Sequence, residues 1–194
     1  MILPRCFLSI PFLSLLVTLA VAALRADGAP GAAARKSTAP VVVIHGQRSL
    51  GSEGDRRFAL SLSRHAVRWF REGGLEVDIA GDEQLATALR GRQVAMLNHC
   101  DRPPAGQLRE LKAFVARGGT LIVCYSSSPE LADLMGVRLG AYIKAEPGQF
   151  ASMLFEQPKP VNTPRQIAQS SPNILPATAI KGRSTVLAWW LDRQ

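Results

Sequence analysis

The sequence predicts an α/β protein built on an open, mainly parallel sheet with helices on both faces. Three observations predict it. Short β-branched and apolar runs alternate with stretches whose apolar residues recur at helical spacing, glycine pairs close two of those helical stretches, and the first run is apolar throughout, as in a strand buried on both sides. A chain of 194 residues, 47% hydrophobic and 20% charged, is long enough for one domain with a sizeable core.

The first strand is PVVVIHG (40–46). In the helix that follows, Phe58, Ala59, Leu62, Ala66, Trp69 and Phe70 form an apolar face, and Gly73 and Gly74 stop it. LEVDIAG (75–81) alternates as a second strand, and DEQLATALRG is a short helix with an acidic first turn at Asp82 and Glu83. QVAMLNHC (93–100) is the third strand. Pro104 then stands at a helix start, Leu108, Leu111, Phe114 and Val115 line one side, and Gly118 and Gly119 end it. TLIVCYS is a fourth strand, and SPELADLMG is a short helix begun by Ser128 and Pro129. From Glu146 to Gly182, prolines 147, 158, 160, 164, 172 and 176 break the alternation, so an irregular Pro-rich excursion with one short helix and edge strands is expected there. STVLAWWLD (184–192) returns as the last strand, with Trp189 and Trp190 on opposite faces.

At the start of the chain, Arg5 precedes an apolar run from Cys6 to Leu24, and small residues around Ala20 to Ala26 suit signal-peptidase cleavage. Residues 1–26 are therefore read as a signal peptide, 27–39 as a disordered Ala/Gly/Pro-rich linker, and 40–192 as a single domain. The protein is expected to be exported, periplasmic or extracellular, with a membrane involved only through an uncleaved N-terminal segment. Cleavage removes two of the 23 basic residues and none of the 15 acidic ones, leaving a moderate, dispersed positive excess. Arg57, Arg64, Arg68 and Arg71 form a basic stripe on the first helix, read as a solvated face, with an anionic partner as the alternative. No nucleic-acid motif accompanies it, so no nucleic-acid partner is expected.

In open parallel sheets ligands gather at the carboxyl ends of the strands. Those ends supply the candidate binding residues His45, Gln47, His99, Asp101, Tyr125 and Ser126. No glycine-rich phosphate loop or dinucleotide fingerprint follows any strand, and no cofactor is expected. His45, His99, Cys100, Asp101 and Cys124 can be drawn as a metal site, but no CxxC or HxxxH spacing supports it, so no metal is assigned. Cys100 and Cys124 both stand where a strand ends and make a candidate disulfide in an oxidising compartment. Three roles stay open for Cys124: a buried thiol, half of that disulfide, or a nucleophile with His45 or His99 as base.

The segment VAMLNHCDRPPAGQLRELKAFVARGGTLIVCYSSSPELADLMGVRLGAY resembles the class I glutamine amidotransferase-like superfamily. The carrying features are a strand ending in a loop, a helix with L..F...GG, the strand TLIV, and a short helix ending in LMGV. GSEGDRRFALSLSRHAVRWFREGGLEVDIA and VLAWWLD are similar to the flanking parts of such domains. The resemblance spans about residues 40–192 and implies a flavodoxin-like three-layer sandwich. Within the superfamily it points to the non-catalytic branch, which includes trehalose-utilisation-type domains and the trimerisation domain of family 42 β-galactosidases. A working amidotransferase carries Gly-x-Cys-x-Gly and a late His-x-Glu, whereas this chain has Ile122-Val123-Cys124-Tyr125-Ser126 and no histidine after His99. Protease- and deglycase-like relatives place a histidine directly after the cysteine, where Tyr125 stands here. The resemblance thus implies a non-catalytic binding or assembly module linked to carbohydrate processing, with a carbohydrate or protein partner and a candidate homo-oligomer. The alternative is a cysteine-dependent hydrolase with Cys124 as nucleophile.

Overall fold

The computed structural model describes residues 39–156 and 163–193. The apolar leader, almost all of the linker, and Pro158 and Pro160 lie outside the described residues. Among the described residues no helix is long and apolar enough to cross a membrane. The chain divides into two compact units, one ending at Ser126 and the other beginning at Ser127.

The first unit is a parallel α/β layer structure. Strands β1 (Val41–His45), β2 (Val77–Gly81), β3 (Val94–Asn98) and β4 (Thr120–Cys124) form one sheet in the order β2-β1-β3-β4. All three pairings are parallel. The run Val41–His45 is buried at every position because β1 is internal and covered on both sides. On one side, Val41, Val43 and Met96 join Ala66, Val67 and Phe70 of helix α1 (Glu53–Glu72). Alternation turns Val42, Ile44, Ala95 and Leu97 to the other face, where they are equally buried. Helix α2 (Leu85–Ala88), entered through a single 3-10 turn at Asp82–Gln84, rests against β1 and β2, and α3 (Ala105–Ala116) against β4 and α2.

Local chemistry explains the element ends. The Ser52 side chain caps α1 by accepting from the Asp55 N–H at 3.0 Å, and Asp55 and Glu53 sit at the positive end of the helix dipole. The L..F...GG pattern has a packing reason: Gly118 takes a positive φ of 87°, and a side chain on Gly119 would collide with the Phe114 ring. The inward face of α1 differs from the expected one. Ala59, Ser63, Ala66, Val67 and Phe70 face in, while Phe58 and Trp69 are exposed, so Phe70 and four smaller residues meet the sheet and two large aromatics remain at the surface.

The second unit opens with α4 (Pro129–Leu134), capped by Ser128, whose hydroxyl accepts from the Leu131 N–H at 3.2 Å. Short antiparallel strands follow: β5 (Val137–Leu139), β6 (Ile143–Lys144), β7 (Ser152–Phe155), β8 (Gln166–Ala168), β9 (Asn173–Ile174), β10 (Ala177–Ala179) and β11 (Ala188–Leu191). They pair as β10-β5, β6-β9 and β11-β7-β8. The expected short helix is not found among the described residues of the Pro-rich segment, where the prolines separate strands of only two to four residues. The last strand forms, and it pairs antiparallel with β7. Trp190 is buried against Phe150, with ring centroids 6.1 Å apart, and Trp189 is half-buried.

Candidate functional site

The register of the parallel sheet assembles the carboxyl-end rim of the first unit. His45, Asn98 and Cys124 are partners in one row across β1, β3 and β4, so they project to the same side. Asn98 stands between the other two. His45 is thus two strand spacings from Cys124, about 10 Å at the backbone, and is itself buried, with its Nδ1 3.3 Å from the Gln47 amide nitrogen.

His99 and Tyr125 follow β3 and β4, and both have left-handed backbone, at φ 57° and 62°. This conformation is unusual for residues with a large side chain and holds each of them at a sharp turn. The His99 N–H donates to the Cys124 carbonyl at 2.9 Å, tying the two turns together. Above that tie the His99 and Tyr125 rings are stacked, with centroids 4.7 Å apart and planes at 13°. Phe58 of α1 meets the other aromatic partner edge-on, 5.6 Å from His99 at 87°. Tyr125 is 47% exposed and Phe58 55% exposed, so the cluster presents apolar ring surface at the rim. Burial lowers the His99 pKa below its ordinary value, against the opposing pull of the Asp55 and Asp101 carboxylates. Ser126 donates to the Asp101 carbonyl at 2.6 Å and so joins the loop after β3 to the turn after β4.

The left-handed turn lies one residue beyond the cysteine. Cys124 is the last residue of β4, 6% exposed, and belongs to the core cluster with Val43, Met96 and Phe70. Desolvation pushes its thiol up to about 12. Cys100 is also a buried free thiol, donates to the Ile44 carbonyl at 3.6 Å, and is raised by burial and by the nearby Asp82 charge. Neither environment favours a thiolate. Among the described residues, no three His, Cys, Asp and Glu side chains converge as metal donors.

One rim residue was not among the sequence candidates. Asp82, which follows β2, is 2% exposed, and its carboxylate accepts the backbone N–H groups of Gln47, Arg48 and Ser49. The Gln107 side-chain amide in turn donates to the Asp82 carbonyl at 2.7 Å. The one available sequence signal was an acidic residue directly after a strand, which also suits a helix start.

Among solved structures, the fold is similar to that of a ThuA-like protein from Bacteroides uniformis ATCC 8492, at 13% identity and a TM-score of 0.52 over 76% of this chain. A second such structure is a β-galactosidase from Bacillus circulans sp. alkalophilus, at 17% identity and a TM-score of 0.50 over 78% of this chain. The chain spans 64% of the length of the first and 24% of the second. At such identities the likeness is one of fold. No protein-family model matches the chain, and no curated protein matches it at a significant level.

Proposed function

We propose that this chain is an exported, non-catalytic module that binds carbohydrate through the aromatic rim of its parallel sheet. The carrying observation is the exposed Tyr125 ring, stacked on His99 and held on a left-handed turn at the carboxyl ends of the strands. A pyranose has an apolar C–H face that packs flat on an aromatic ring, and hydroxyls that suit nearby amide and carboxylate groups such as Gln47, Asp55 and Asp101. Burial of both thiols supports a binding role over a hydrolytic one. The ThuA-like and β-galactosidase neighbours support the link to carbohydrate processing.

The test is calorimetric titration of a panel of neutral oligosaccharides into the protein and its Tyr125→Ala variant. Saturable binding by the wild type, weakened about tenfold in the variant, corresponds to losing about 1.4 kcal/mol of ring contact. A wild type that binds none of the panel, or a variant that binds equally well, refutes the assignment.

A further inference from the structure

The loop after β1 aims three successive backbone N–H groups at one carboxylate. Asp82 Oδ1 accepts from Gln47 at 2.9 Å and Arg48 at 2.7 Å, and Oδ2 accepts from Ser49 at 3.0 Å. Successive N–H groups turned to a common centre make an anion-binding concavity, and the first strand-to-helix turn of an open α/β sheet is a common place to hold a ligand's phosphate. Here that concavity is filled from within the chain by a fully buried side chain. The loop is pinned on its β3 side as well, since Gly46 lies so close to the His99 carbonyl that no side chain fits between them.

We propose that residues 47–49 form an oxyanion site whose resident anion is the chain's own Asp82 carboxylate. Resting on the carbohydrate reading above, it follows that the rim takes uncharged ligands and rejects phosphorylated or acidic ones. A carboxylate receiving several N–H bonds is held by charge-assisted contacts, and a second anion at the same place meets donors already engaged and a like charge. Removing the carboxylate leaves three aligned donors facing a space of oxyanion size.

Thermal melts of the wild type, Asp82→Ala and Asp82→Asn in formate, sulfate and phosphate, against chloride at matched ionic strength, test the site. Asp82→Ala is expected to melt several degrees below the wild type and to recover saturably as oxyanion is added. The wild type and Asp82→Asn, whose side chain still fills the space, are expected to show only the non-saturating salt response common to all three. Equal responses of Asp82→Ala and the wild type overturn the proposal. If the alanine variant does not fold in buffer, its refolding is scored in the same salts: recovery in oxyanions and not in chloride supports the site, and recovery in neither refutes it. Amide shifts of Gln47 to Ser49 that saturate with phosphate in the wild type would show an open site and also refute it. The ligand half is read separately from these melts: a bound neutral oligosaccharide is expected to lose tenfold or more in affinity on carrying a phosphate, and unchanged affinity overturns that half alone.

Discussion

Cys124 in the native protein is expected to alkylate at least a thousandfold more slowly than an exposed thiol. The magnitude comes from its surroundings. Desolvation in the apolar cluster moves the thiol from an ordinary 9.0 to about 12. The attacking species is the thiolate, whose fraction well below the pKa falls tenfold per unit, so the loss is about a thousandfold. Burial by α1 and the sheet restricts the reagent further. Mass spectrometry of iodoacetamide-treated protein, timed from mildly acidic to mildly alkaline pH with the denatured chain as reference, reads the rate. Native labelling within tenfold of the denatured rate, or rapid labelling below the ordinary thiol range, would refute the reasoning and restore Cys124 as a nucleophile. The same shift has a stability counterpart. Since the folded value lies above the unfolded one, the contribution is complete below about 9 and is lost as pH rises through the folded value near 12.

Two further outcomes concern the rim. His99 has its pKa lowered in the fold, so the unfolded chain takes up a proton first, and stability declines as pH falls from 6.5 through the folded value. His99→Asn, which tolerates the left-handed backbone, is expected to flatten that part of the urea-midpoint profile, and an unchanged slope counts against the assignment. Gly46→Ala places a methyl against the His99 carbonyl and the Leu50 side chain and is expected to cost about 1–3 kcal/mol by urea unfolding. Gly51→Ala, with open space around the added carbon, is the control and is expected to stay within about 0.5 kcal/mol of the wild type.

The parallel strands were legible in the sequence because their signals are local. PVVVIHG and TLIVC declare themselves by composition, and the turns at Gly118-Gly119 and Ser128-Pro129 by residue types that few other conformations require. What escaped depends on contacts between distant residues. The Asp82 clamp joins groups 33 to 35 positions apart, and no pattern in either segment announces it. The inward face of α1 is rotated from the expected one: Phe70 and Ala66 face the sheet as expected, but Ser63 and Val67 take the places beside them and Phe58 and Trp69 lie outside, a choice set by the fit to the sheet and not by side-chain hydrophobicity. The rim residues were legible as strand ends. Their grouping was not: the sequence lists His45, His99 and Tyr125 as equals, whereas the register sends His45 into the interior and the two left-handed turns bring His99 and Tyr125 together at the surface.

The one-residue offset between Cys124 and the left-handed turn bears on how such a scaffold gains or loses reactivity. The seat that lifts a side chain out of the strand and towards solvent belongs to position 125, and a bulky phenol now occupies it against an imidazole. Placing glycines around Cys124 would leave its sulfur among valine and methionine side chains. A Tyr125→Cys substitution would instead place a thiol on the turn itself, beside His99. For anyone engineering chemistry into this fold, the coordinate to change is the phase of the sequence against the strand end.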